Sequence, residues 1–188
     1  MTKVAVIVGS LKKTSLNLAF AKALAKLAHP KLELRIVEIG DLPFFNEDLE
    51  TPLPASVVRF KGEIEAADAV LFVTPEYFRS IPGVLKNAIE WGGRPYGKSS
   101  WAGKPGAVAG VSPGTIGTAV AQSQLRSIAS VLDIALISQP ELYLSLKPGQ
   151  INENGEIADE ALKSLLQSFI NRFSAWIGRL EQKPAIQF

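Results

Sequence analysis

Residues 9–17 read Gly9-Ser10-Leu11-Lys12-Lys13-Thr14-Ser15-Leu16-Asn17, so one glycine, three small hydroxyls and two lysines follow the apolar run Val4–Val8. This mixture suits an anion. A helix that begins here presents unpaired backbone N–H groups and the positive end of its dipole, the hydroxyls add donors, and Lys12 adds charge. Neither G-x-G-x-x-G nor a P-loop spacing is present, so a mononucleotide phosphate fits better than a pyrophosphate. The plainer alternative is an ordinary strand-to-helix turn with Ser15 as its N-cap.

Two further segments share this character. Thr74-Pro75-Glu76-Tyr77-Phe78-Arg79-Ser80-Ile81-Pro82-Gly83 is stiffened by its prolines, and its backbone donors beside Tyr77 and Phe78 suit the polar edge and flat face of a heterocycle. It could equally be a helix lead-in whose aromatics merely pack. Glu76 is a candidate general base, but a lone carboxylate without a partner in the sequence reads more simply as structural. Val111-Ser112-Pro113-Gly114-Thr115-Ile116-Gly117-Thr118 again sets small hydroxyls at a helix start.

Apolar runs at 3–8, 33–38, 69–73, 106–111 and 133–138 predict five strands. Helical periodicity fills the gaps: Leu16, Phe20, Ala23, Leu24 and Leu27; a stretch at 54–67; one from Gly83 to Trp91; one at 115–131; and a last stripe from Leu162 to Ile177. Buried-type strands alternating with helices predict a doubly wound parallel sheet in the order 2-1-3-4-5, helices on both faces, as a single domain over 1–188. Ligands of such sheets bind beyond the carboxyl ends of the strands where the order reverses, which selects the same three segments. Two long connections, Gly40–Leu53 and Tyr143–Ile157, are expected to be functional or mobile, and the tail from 182 to 188 is expected to fray.

Composition narrows the classes. The chain has 188 residues, 47% of them hydrophobic, and a net charge of +2, too small to argue for nucleic acid. No membrane span or signal peptide is predicted. The absence of cysteine excludes disulfides, thiolate metal sites and a cysteine nucleophile, and fits a cytoplasmic address. The one histidine, His29, lies far in sequence from every candidate loop and reads as a capping or solvent residue, which disfavours a Ser-His-Asp triad, and a single histidine excludes a histidine metal cluster. Glu47, Asp48 and Glu50 could bind a hard cation, but a solvated loop is the simpler reading, and no metal site is expected. Six lysines and no acid lie between Lys3 and Lys31, and Lys12 and Lys13 are the pair placed in the loop to meet an anion.

Together the segments resemble the NADPH-dependent FMN reductase family, in its chromate- and quinone-reductase branch. The family's G-S-L-R-x-x-S-x-N loop corresponds to Gly9–Asn17, its P-E-Y-N-x-S-x-P-G-x-L-K-N-A-I-D-W stretch to Pro75–Trp91, and its A-G-K-P element to Ala102–Pro105. The resemblance covers about residues 3–140. It implies a flavodoxin-like fold, non-covalent FMN, and a homodimer or homotetramer. It also implies ping-pong hydride transfer from NADPH or NADH to quinones, flavins or metal oxyanions such as chromate, with flavin-borne chemistry and no single acid–base residue. By the same resemblance Ser10, Lys12, Ser15, Leu16 and Asn17 would hold the phosphate and its approach. Pro75, Glu76, Tyr77, Phe78 and Ser80 would line the isoalloxazine ring, Ser112, Gly114, Thr115 and Gly117 would close its other side, and Tyr77 and Arg79 would meet the acceptor. Two departures stand out: Lys12 replaces an arginine, so a bidentate grip becomes a point charge, and Phe78 replaces an asparagine. A flavodoxin-type electron carrier is the rival, disfavoured by the slightly basic charge. Trp91, Trp101 and the helix carrying Ala119, Ser123 and Ser127 could form an association face or belong to the core.

Overall fold

In the computed structural model, which describes residues 1–147 and 149–181, six strands and five helices follow one another through the chain. They are β1 (Thr2–Val8), α1 (Leu16–Ala28), β2 (Leu32–Ile36), α2 (Ala55–Glu65), β3 (Ala69–Val73), α3 (Gly83–Gly93), β4 (Pro105–Ser112), α4 (Ala119–Val131), β5 (Ala135–Leu136), β6 (Leu142–Ser145) and α5 (Glu160–Glu181). The sheet is parallel, in the order β2-β1-β3-β4-β5, with β6 also paired to β4. This is the flavodoxin-like arrangement that the alternation of runs predicts. Successive residues of a strand face opposite sides. Val4, Val6 and Val8 accordingly pack with Phe20 and Leu24 of α1 and Phe169 and Phe173 of α5. Ala5 and Ile7 pack with Phe60 of α2, Leu85 and Trp91 of α3 and Leu125 of α4 on the other face.

Two expectations need correction, and the core alternative holds for the two tryptophans. The fifth strand is two short pieces: β5 pairs with Pro105 and Gly106, and β6 pairs with Ala109 to Ser112. The polar stretch Ser138-Gln139-Pro140 interrupts it, because proline has no N–H for the ladder. β6 therefore overlaps the start of the segment 143–157 expected as a long connection. Helix α4 begins at Ala119 rather than 115, after a turn in which Gly117 takes φ of 64°. Trp91 and Trp101 are core residues, both 0% exposed, and their indole N–H groups donate to Pro43 O and Ile89 O. The 40–53 connection is tied down: Phe45 N donates to Asn87, and Arg94 holds Glu47 and Glu50, so those two carboxylates serve ion pairs. His29 is the exposed residue that ends α1. The tail expected to fray, 182–188, lies outside the described residues. Among the described residues no helix is long and apolar enough to cross a membrane.

Candidate functional site

β1 and β3 are neighbours whose following helices, α1 and α3, pack on opposite faces, which opens a crevice at the carboxyl edge between their loops. A cleft of about 270 Å³ occupies that edge, lined by Ser10, Lys12, Thr14, Ser15, Leu16, Asn17, Pro75, Glu76, Tyr77, Val111, Ser112 and Pro113. All three predicted loops contribute. Close backbone approach brings them together. Gly9 donates its N–H to Val73 O at 2.8 Å, and a Cβ there would press on Leu85 and Pro75. At Gly110 a Cβ would overlap Thr74 O and Thr118 Oγ1, so the bare backbone of β4 lets the second and third loops close over it.

The first loop presents the opening of α1. Ser15 is the N-cap, its Oγ accepting from Leu18 N at 3.3 Å, and among the described residues the amides of Leu16 and Asn17 carry no backbone partner. These two donors, the hydroxyl hydrogens of Ser10, Thr14 and Ser15, and the exposed Lys12 ammonium are groups that could hold an anion. Asn17, expected at the phosphate and its approach, lines the cleft and also ties two elements together. Its buried amide donates to Val111 O at 2.9 Å and accepts from Val111 N at 3.0 Å. Ala109 O on the same side of β4 bonds Thr74 N, the last partner that the β3 side supplies, so Val111 faces a gap that the Asn17 side chain fills. Asn17 lines the cleft and pins α1 to β4.

In the second loop Tyr77 and Ser80 exchange both backbone hydrogen bonds, at 3.0 Å each, around Phe78 and Arg79 with φ of 52° and 63°. Two positive φ values make a type I′ turn, whose left-handed positions favour asparagine and glycine. The asparagine of the family pattern at Phe78 is thus explained by backbone conformation. Phe78 itself points into solvent, 104% exposed, outside the cleft. Arg79 and Ser80 are also outside the lining, as are Gly114, Thr115 and Gly117 of the third loop. Gly117 is there for packing: a Cβ on it would strike the backbone of Tyr143 and Leu144.

Glu76 has the partners that the sequence did not reveal. Its side chain is only 3% exposed, with Oε2 accepting from Val120 N (3.0 Å) and Ala121 N (3.1 Å), and Oε1 taking Arg79 Nη1 at 2.7 Å. Burial opposes ionisation, yet the Arg79 hydrogen bond, the two amides and the Arg79 charge outweigh it, so the carboxyl sits below its ordinary range. A carboxylate so held is a poor general base. Gln124, which sequence reasoning missed, completes the attachment: it accepts from Ser80 Oγ at 2.7 Å and donates to Arg79 O at 2.9 Å. Nothing in the spacing marks it, since its partners lie 44 and 45 residues away.

Comparison with known proteins agrees with this geometry. Residues 2–149 match the NADPH-dependent FMN reductase family model. The chain is 47% identical to a 2-hydroxy-1,4-benzoquinone reductase of a Burkholderia species, over 93% of this chain and 96% of that protein. It is 50% identical to a quinone reductase of Pseudomonas putida, over 93% and 94%. Among solved structures it is similar to FerB, a flavoenzyme NAD(P)H:(acceptor) oxidoreductase of Paracoccus denitrificans, with a TM-score of 0.92 at 47% identity over 95% and 98% of the two chains. With the motifs of its first and second loops meeting at one cleft of a flavodoxin-like sheet, the chain belongs to the NADPH-dependent FMN reductase family.

Proposed function

We propose that this protein is an FMN-dependent NAD(P)H oxidoreductase that reduces quinones, with FMN held in the cleft between the loops at 9–17, 74–82 and 111–118. The observation that carries this reading is the convergence of the three loops on one cleft. The family and its quinone-reducing relatives at 47% and 50% identity support the chemistry. The residues suit the cofactor. Two amides at the start of α1, three hydroxyls and Lys12 match a phosphate dianion, while Pro75, Tyr77 and the Val111–Pro113 backbone offer a flat, partly apolar slot above it.

When bound, FMN supplies the hydride chemistry, and the protein supplies position, electrostatics and exclusion of water. Ser15 and Lys12 hold the charged end. Asn17 and Glu76 take no proton in this scheme; their hydrogen bonds to β4 and α4 keep the walls at fixed separation. Half-exposed Tyr77 and the Arg79 guanidinium stand at the rim, where acceptors arrive. Free flavins and oxyanions such as chromate are further candidate acceptors. The association state proposed with it, a homodimer or homotetramer, rests on the resemblance of the loops to the family. The working compartment is the cytoplasm, where the nicotinamide donor is available.

Purified protein should carry or take up FMN and oxidise NADPH or NADH when a benzoquinone is added, the two donors, free flavin and chromate being compared in parallel. FMN uptake without NAD(P)H oxidation would favour an electron carrier. Protein that FMN cannot reconstitute would end both readings.

A further inference from the structure

The N-terminus of α4 is capped from a distance. Thr118, its N-cap residue, makes no side-chain cap bond, because Thr118 Oγ1 instead accepts from Gln122 Nε2 at 2.8 Å. The amides of Val120 and Ala121, two of the donors that every helix start leaves open, go to Glu76, 44 and 45 residues earlier in the chain. One carboxylate therefore closes the helix of the third loop while its other oxygen holds Arg79 of the second loop. Gln124, one turn further along α4, takes the far end of the same turn through Ser80 and the Arg79 carbonyl. The second and third loops are thus joined through Glu76, itself a lining residue, and through Gln124.

We propose that Glu76 is a positioning residue, a strut that sets the separation of the ring-side walls and thereby the affinity for the ring of the cofactor, independently of its phosphate. The inference rests on the proposed placement of FMN. The chemistry is that of a buried anion at a helix N-terminus, where the macrodipole and two N–H donors favour charge over a neutral amide of the same shape. Glutamine at 76 keeps the shape and loses the charge, and its NH2 has no acceptor at the Val120 and Ala121 amides. Aspartate keeps the charge on a stem one methylene shorter.

The test compares apoprotein of wild type, E76Q, E76D and K12A for binding of FMN and of riboflavin, which has the ring without the phosphate. The readouts are flavin fluorescence quenching and the visible circular dichroism of the bound flavin. E76Q should weaken both ligands by the same factor, roughly tenfold, the size of one charge-assisted hydrogen bond. It should also change the dichroism of the bound flavin. E76D should fall between E76Q and wild type, and K12A should weaken FMN alone. Should E76Q not fold, E76D is read in its place: a loss shared by FMN and riboflavin supports the strut, and wild-type affinity for both overturns it. Equal affinities of wild type and E76Q, or a loss confined to FMN, overturn the strut while leaving the FMN reading intact. Wild-type protein that binds neither flavin overturns the FMN reading, and the strut with it.

Discussion

Replacing Phe78 with asparagine should make the protein more stable. Phe78 sits at φ of 52° beside Arg79 at 63°, both in the left-handed region, which costs a residue with a bulky side chain roughly 1 kcal/mol and which asparagine tolerates better. Ordinarily packing offsets such a cost. Here the ring is fully exposed, so no buried contact is forfeited by its removal. The expected gain for F78N is therefore about 0.5–1 kcal/mol, which for a domain of this size raises Tm by roughly 1–4 °C. The neighbouring position supplies the contrast. R79G relieves similar backbone strain but also removes the 2.7 Å bond from Arg79 to Glu76, whose side chain is only 3% exposed, and leaves a buried carboxylate oxygen without that partner, at a cost of about 1–3 kcal/mol. The loss outweighs the relief, so R79G should destabilise where F78N stabilises. Urea titration at matched m-values reads both variants. A lower midpoint for F78N would refute the reasoning, since it would mean that the Phe78 ring makes stabilising contacts in the folded state.

Other expectations concern the cleft. N17A should destabilise by about 2–4 kcal/mol, because it leaves the Val111 N–H and C=O buried without partners; thermal unfolding of the apoprotein measures it. K12R should tighten FMN and K12A loosen it, each by roughly three- to tenfold and neither for riboflavin, since a guanidinium grips phosphate through two bonds and an ammonium as a point charge; fluorescence titration reads both. Burial opposes ionisation of Glu76, but Arg79 and the α4 amides outweigh it, so its folded pKa lies below the unfolded value of about 4.3. Stability from that group is present above this value and is lost as pH falls through the folded pKa. Wild type should therefore lose more stability than E76Q between about pH 5 and pH 3, and parallel acid titrations of the two would speak against the assignment.

What the chain discloses in advance, and what it hides, follows from which groups carry the signal. β1, β3 and β4 are written as apolar runs because both of their faces are buried, and Phe20, Leu24 and their neighbours mark α1 at helical spacing. β6 escapes that reading. Tyr143 and Ser145 face outward from an edge position, so Leu142-Tyr143-Leu144-Ser145 is short and half polar. The late start of α4 escapes too, because Gly117 and the buried Thr118 are fixed by contact with β6 and β4 rather than by local pattern. At the cleft, Ser15 and Lys12 lie where the loop motif puts them. Asn17 and Glu76 do not act as their types suggest, since each bonds backbone groups of a strand or helix many residues away, and a backbone amide leaves no letter in the sequence. Phe78 is the reverse case: its identity departs from the family pattern, yet the turn keeps its shape.

The bond pair between Asn17 and Val111 has a mechanical consequence. It fastens the first turn of α1 to a strand two places across the sheet from the one it follows, over the end of the strand between. Sliding of that helix along the sheet is thereby blocked at its ligand-facing end. Breathing of the crevice mouth is left to the exposed stretches at 11–14 and 113–116, and hydrogen exchange in the empty protein should be fastest there and slow at the Val111 amide.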